Sequence, residues 1–434
     1  MSMPLRILVH CPERTARHEA AFTWTLGSAL GLEWAWADAA LQPASFDDVH
    51  LLYGVDGDAG VRFPAEGLLS EVGQRRPAPP ATEGGDADLL AAIFWMGSRM
   101  EEFGAGASVD DHGRFDPTGS PSALRGWLER PICEEWAFQV GERLLGDRWD
   151  EHRRHLEAQF EVVPTLDVDS AYAFRGKGVW RTTAALLRDS ITGRFSKVLR
   201  RLQVILGREV DPYDTYAQAA AWHAERGLEA RWFFLLAAFG PHDKGLPSSS
   251  PALGELMRSL ERDPRCAVGW HPGYAAAENA EALSAEAKAF ECILGRRPLA
   301  SRQHYLRMNP TQTRRHLLAL GIREDHTEGH AVRTGFRGGF ARSRPWYDLE
   351  AEALTDLLLC PFAAMDATYA RYLKTPPEEV PERVGELAAA VRKVGGPLRL
   401  LWHNESLAPE GLWKNWGGVY PAVLDAALES PKAP

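Results

Sequence analysis

The chain is expected to fold as an α/β protein in which a smaller α/β domain, residues 1–155, precedes a seven-stranded (β/α) barrel, residues 156–434. Three observations predict this. Hydrophobic residues make up 45% of the 434 and charged residues 25%, the balance of an ordinary globular chain, which excludes disordered, collagen-like and coiled-coil classes. The length corresponds to roughly three domains of ordinary size, or to two when one is a barrel of about 250 residues or more. From residue 161 onward, short β-rich runs alternate with helical patterns at the spacing of parallel βα units.

In the first part, 5–9 and 49–53 are short apolar runs of buried-strand length around a helical stretch over 15–30. The stretch 75–88, rich in Pro, Gly and acid, is a surface loop. Apolar residues then recur at three-and-four spacing over 88–103, which marks a helix. A second loop spans 104–122, a further helix 132–145, and the charged passage 148–155 bridges the two parts. In the second part the strands are expected over 162–166, 230–235, 266–270, 299–302, 321–323, 357–360 and 398–402. The helices between them are expected over 181–206, 213–226, 283–294, 311–320 and 378–394.

Lys and Arg total 49 against 59 Asp and Glu, a net charge of -10. That is the wrong sign for a phosphate-backbone binder, so no nucleic-acid partner is expected. One local exception, the basic stretch between Arg175 and Arg201, reads as a solvated helix face, with steering of an acidic substrate as the minority reading. The five cysteines are scattered without a C-x-x-C pair, so neither a disulfide framework nor a zinc ribbon is indicated and a reducing compartment fits best. The apolar run at 7–9 is too short for a signal peptide. The longest apolar run, 232–239, is far below the ~20 residues that cross a bilayer. A cytoplasmic protein without a membrane partner is the expectation.

The chemistry gathers at strand ends, where parallel barrels build their active sites. The first site strand runs into Asp167-Val168-Asp169, another into His271-Pro272-Gly273-Tyr274, the next into Arg302-Gln303-His304-Tyr305, and the last into His403-Asn404-Glu405. Singly, each has a bland reading: Asp-x-Asp as a helix cap or turn, Arg302 as a structural ion-pair partner, His304 as a satisfied buried imidazole, Trp402-His403 as core with a polar tip. Together they put two carboxylates, three imidazoles and a guanidinium on one rim, a set suited to a divalent metal and acid-base work. Asp325 with His326, and Glu328 with His330, also have metal-ligand spacing but read as solvated loop residues. Gly335 to Gly339 reads as a tight turn.

Over 161–424 these residues resemble the polysaccharide deacetylases, metal-dependent carbohydrate esterases with an irregular seven-stranded (β/α) barrel. The family's Thr-Phe-Asp-Asp motif is matched by Thr165-Leu166-Asp167-Val168-Asp169, its strand-end His by His271, its Arg motif by Arg302, and its late Leu-x-His by Leu401-Trp402-His403. The resemblance implies Asp167 as general base, Asp169 and His271 as metal ligands, His403 as general acid, and Asp325 as the carboxylate that orients the Arg. The whole chain also resembles a bacterial two-domain group with an uncharacterised N-terminal α/β domain, through Met100-Glu101-Glu102-Phe103, Asp111-His112-Gly113-Arg114-Phe115 and Arg130-Pro131-Ile132.

Two departures shape the expected site. The family's second ligand, four residues after the first His, is replaced by Ala275, and His304 is the substitute, giving Asp169, His271 and His304 around a divalent ion, zinc by preference. The carboxylates are spaced one residue further apart than in the family, which leaves the roles of Asp167 and Asp169 exchangeable. Tyr274, Tyr305, Trp402 and Asn404 are the substrate-binding candidates, with Asp325 and His326 as secondary site residues. The expected activity is hydrolysis of an N-acetyl or other acyl group on a carbohydrate or small-molecule amide. An inactive carbohydrate-binding or assembly protein, and a metal-free amide hydrolase, are the alternatives.

Overall fold

The aliphatic run LRILVH forms β1 (Leu5–His10), which pairs in parallel with β2 (Glu33–Trp36) and β3 (Asp47–Tyr53). With β4 (Val61–Phe63) they make a parallel sheet ordered β2-β1-β3-β4. The computed structural model describes residues 5–37, 47–73, 75–76, 78–84, 87–104 and 107–429; within the expected loops, residues 77, 85–86 and 105–106 lie outside the described residues. The helical stretch after β1 starts at Ala16–Phe22, capped by the Thr15 side chain accepting from the His18 N–H, and continues in wider turns over Thr23–Ala29.

Helix Leu89–Gly97 is capped by Asp88, and every one of its residues is buried. That is why its sequence is apolar on all faces rather than along one stripe. The expected extension to residue 103 is broken at Arg99, whose φ of 59° is left-handed, and Met100–Phe103 is a separate short turn. The second expected loop contains a small antiparallel hairpin, β5 (Ser108–Val109) and β6 (Phe115–Asp116). Helix Ile132–Leu145 follows, and the charged bridge is itself helical over Trp149–Glu157.

The second sheet contains β7 (Glu161–Val168), β8 (Ala230–Leu235), β9 (Cys266–His271), β10 (Ala300–Ser301) and β11 (Glu324–Asp325). It is completed by β12 (Arg344–Asp348), β13 (Ala353–Leu359), β14 (Ala364–Met365) and β15 (Pro397–His403). The order is β12-β13-β11-β10-β9-β8-β7-β15-β14, parallel except for β12. All seven expected strands have counterparts, the fifth displaced from 321–323 to β11. The count nevertheless becomes nine, and no ladder joins the edge strands β12 and β14 among the described residues. The extra β12 carries Pro345 and sits at an edge, where a missing N–H is tolerated.

The helix expected over 181–206 is two helices, Val179–Ile191 and Phe195–Ile205. Gly193, at φ 71°, breaks it. Among the described residues, no helix is long and apolar enough to cross a membrane.

Of the three apolar clusters among the described residues, two make up most of the core. The larger surrounds β7 to β9 and includes Trp232, Trp270 and Trp402; the other includes Trp24, Phe94 and Trp95, and takes in Phe340, Tyr347 and Leu349 from the second part. Polar contacts run the same way: Arg17 reaches Glu352 at 2.6 Å, Arg337 reaches Glu102 at 2.7 Å, and Glu134 accepts the N–H groups of Ala341 and Arg342. Trp402 packs 5.6 Å from the Tyr420 ring, inside the larger cluster. Trp402→Ala is therefore expected to lower unfolding stability by about 3–5 kcal/mol in a denaturant titration.

Candidate active site

The parallel register brings the strand ends to one rim. His403, the last residue of β15, lies beside Asp167 of β7, and Ser301 of β10 lies beside Trp270 of β9. Alternation along β7 buries Val168 in the larger core while Asp167 and Asp169 turn to the opposite side. After β9 the chain passes Gly273, where a Cβ would lie 2.3 Å from that of Ala237; glycine permits this close approach. A pocket of about 220 Å³ opens here, lined by Asp167, Asp169, His271, His304, Tyr305 and His403 among others.

Two charge systems meet in it, joined at His271, whose Nε2 lies 3.7 Å from Asp167 Oδ2. In the first, Arg302 is fully buried and donates to Asp167 Oδ1 at 2.8 Å, to Thr165 Oγ1 at 2.8 Å and to the His326 carbonyl at 3.0 Å. The guanidinium is thereby spent on fixing Asp167. In the second, Asp169 Oδ1 lies 3.3 Å from His271 Nε2, and Oδ2 lies 3.3 Å from His304 Nε2 and 3.9 Å from His403 Nε2. Burial works to raise the Asp169 pKa, but the surrounding imidazoles, His304 first, outweigh it and hold this carboxyl well below its usual value.

Each imidazole is held from its far side. His271 Nδ1 donates to the Arg302 carbonyl at 2.5 Å, which turns Nε2 toward Asp169. His304 Nδ1 is 2.8 Å from Asp243, a loop residue beyond β8. His403 Nδ1 is 2.7 Å from Asp366 Oδ1, and its backbone N–H donates to Oδ2 of the same carboxylate at 2.8 Å. Burial would lower the pKa of His304, yet Asp169 and Asp243 bring it up to about 9. His403 is likewise opposed by burial and raised by Asp366 to about 10.

Asp169, His271 and His304 offer ligand atoms within 4.8 Å of one another. His271 Nε2 and Asp169 Oδ1 are buried without a hydrogen-bond partner, an arrangement that costs free energy unless something binds there. The outer carboxylate or carbonyl on each His is the support that metal-ligating imidazoles receive. Ala275, at the family's second-His position, is exposed.

Several expected site residues lie elsewhere. Trp402 and Asn404 flank His403 in the chain, so strand alternation turns them away from the pocket. Trp402 is core, and Asn404 is buried with its amide donating to the carbonyls of Ser170 and Tyr213. Tyr305 lines the pocket; Tyr274 instead stacks on His242 with ring centres 3.9 Å apart and bonds His112. Asp325 does not reach Arg302 through its side chain; it takes the Arg314 guanidinium at 2.9 Å and the Thr327 N–H. His326 forms a second group of possible ligands with Glu324 and Cys360, but Arg231 already places its cation against both His326 and Glu324. Asp325, His326, Glu328 and His330 are all buried rather than solvated.

Sequence reasoning missed Asp243, Asp366 and Arg114. Arg114, from the hairpin of the N-terminal part, lines the pocket and donates to the Tyr305 carbonyl at 2.9 Å and to Tyr372 Oη at 2.8 Å. Its only sequence signal was the DHGRF run itself.

Residues 7–149 match a family of unknown function (DUF7033). No curated protein matches the chain. Among solved structures, it is similar to a candidate polysaccharide deacetylase from Mycobacterium smegmatis, at 14% identity over 62% of this chain and 85% of that one, with a TM-score of 0.38. It is also similar to a GH57-type branching enzyme from the hyperthermophilic archaeon Pyrococcus horikoshii, at 12% identity over 62% and 68% of the two chains, with a TM-score of 0.34.

Proposed function

We propose that the protein is a metal-dependent hydrolase that removes an N-acetyl or other acyl group from a carbohydrate or related amide. The observation that carries this reading is the orphaned pair His271 Nε2 and Asp169 Oδ1, facing His304 beside an Arg-held carboxylate and an Asp-held imidazole. Asp169, His271 and His304 would hold a divalent cation, zinc by this nitrogen and oxygen donor set, which when bound supplies Lewis-acid polarisation of the acyl carbonyl and a more acidic water. Asp167 takes the proton from the attacking water. Arg302 positions Asp167 through the 2.8 Å bond to its Oδ1. His403, cationic by virtue of Asp366, hands a proton to the leaving nitrogen as the tetrahedral carbon collapses.

The two carboxylates divide these roles by their surroundings. Asp169 faces three imidazoles, as a ligand would, while Asp167 is bonded to a guanidinium and faces one imidazole, His271, at 3.7 Å. Tyr305 and Trp413 are the aromatic side chains among the pocket lining available to pack on a sugar, together with Tyr372. The inactive-binder alternative was motivated by Ala275; with His304 Nε2 at 3.3 Å from Asp169, that motive weakens.

The test is release of acetate from an N-acetylated amino-sugar oligomer, measured before chelation, after it, and after zinc is returned. Activity that chelation abolishes and zinc restores is expected; the same rate with and without chelator would remove the metal from the reading. A companion prediction concerns Asp243. Asp243→Asn weakens the hold on His304 and is expected to lower zinc affinity about 10–100-fold in competition with a chelating dye.

A further inference from the structure

Helices Val179–Ile191 and Phe195–Ile205 turn cations inward. On the first, Arg181, Ala184, Ala185 and Arg188 recur at three-and-four spacing and so share one face; on the second, Lys197 and Arg201 do the same. These two faces wall a cleft of about 630 Å³, whose lining also takes in Lys177 and Lys244. The cleft adjoins the candidate active site, because Ser170, Lys244 and Glu405 line both.

The protein's own carboxylates do not cancel the charge in this cleft. Its lining carries six cations against two carboxylates, Glu405 and Glu410, and Arg200 already holds Glu410. The buried Asp189 serves both Arg201 at 2.9 Å and Arg188 at 3.5 Å, and Arg201, itself buried, keeps its Nε without a hydrogen-bond partner. Arg181 and Lys244 donate to backbone carbonyls, which orient the two side chains and leave their charge in place. Lys177 donates to Ser170 Oγ and, like Lys197 and Lys244, is in no ion pair among the described residues. Burial and the neighbouring Arg181 push its ammonium down to about 8, as crowding of like charge does. A cleft lined by one sign of charge gathers the opposite charge, and this one does so within a chain of net charge -10. Guanidinium forks pair with the oxygens of phosphate or carboxylate groups.

We propose that this cleft binds an oxyanion carried by the substrate, so that the acylated carbohydrate is an anionic one, its phosphate or carboxylate held by Arg181, Arg188 and Lys197 while its acyl group enters the pocket beyond Ser170. The oxyanion site stands on the cleft alone; that its occupant belongs to the substrate rests on the hydrolase reading. The basic stretch between Arg175 and Arg201 is then more than a solvated helix face, since its inward residues wall a binding site.

Isothermal titration of the full chain with inorganic pyrophosphate tests the cleft. Binding that weakens roughly tenfold in Arg188→Ser with Lys197→Ser is expected, with no change in Arg194→Ser with Arg208→Ser, which removes the same charge from outside the cleft lining. All four side chains are exposed, so both variants should melt like the parent. No binding, or the same affinity in both variants, would overturn the site. Acetate release then links the site to the substrate, with a phosphorylated N-acetyl amino sugar and one joined to a uronic acid compared with the neutral sugar. A lower KM for an anionic sugar is expected, raised about tenfold by Arg188→Ser with Lys197→Ser at an unchanged kcat, and the sugar that shows it distinguishes phosphate from carboxylate. Equal KM for charged and neutral sugars would detach the oxyanion from the substrate. Pyrophosphate binding without acetate release from any of the sugars would remove the hydrolase reading and leave the oxyanion site standing.

Discussion

Asp167→Asn is expected to slow acyl-group hydrolysis by about 10²–10⁴-fold, the range removed with a general base, while zinc remains bound at the parent's stoichiometry. Asparagine keeps an oxygen where Arg302 donates at 2.8 Å but cannot accept the proton of the attacking water. The same change leaves a fully buried guanidinium without its counter-charge, so a lower melting temperature accompanies it; breaking such a pair costs about 3–5 kcal/mol. Rates are therefore compared well below the melting point. Elemental analysis of the purified variant separates the two carboxylates. Retained metal with lost turnover assigns the base to Asp167, whereas metal lost together with turnover would exchange its role with that of Asp169. Undiminished hydrolysis would take Asp167 out of the mechanism.

What could be read from the sequence was whatever a strand end states locally. Asp167, Asp169, His271, Arg302 and His403 follow apolar runs, and parallel pairing carries such ends to one rim. His304 was legible for the same reason, three residues beyond β10. Asp243 and Asp366 were not, because each sits on a loop whose approach to an imidazole is decided by tertiary packing: Asp366 follows a two-residue strand, β14, beside β15. The errors at Trp402 and Asn404 were avoidable, since a strand that turns His403 to the pocket turns its neighbours away. Asp325 illustrates the opposite difficulty. The resemblance to the deacetylases implied that its carboxylate orients Arg302, but Arg314, from the helix Gln312–Ala319, holds it instead. The broken helix at Gly193 was visible as a glycine, yet its outward apolar faces appear only when the inward faces are known.

Replacing Asp366 is expected to move the alkaline limit of activity rather than only to lower the rate. His403 is buried, and burial favours its neutral form; the Asp366 carboxylate reverses this and brings the imidazole up to about 10. A group with its pKa raised in this way is charged below that value and loses its proton as pH rises through it, so the parent keeps its general acid across the neutral range. In Asp366→Asn the largest counter-charge is gone while burial and the weaker pull of Asp169 and Asp167 remain, and the pKa falls toward the ordinary 6.5 of the imidazole. At pH 8 the variant is expected to lose about 10²–10⁴-fold in kcat/KM, the contribution of a proton donor, and to recover part of it as the pH is lowered. His403→Ala should show the loss without the recovery. Profiles of kcat/KM against pH for the three proteins decide the matter: an equal loss at every pH in Asp366→Asn would make this carboxylate a purely structural anchor and would leave the leaving nitrogen to another donor.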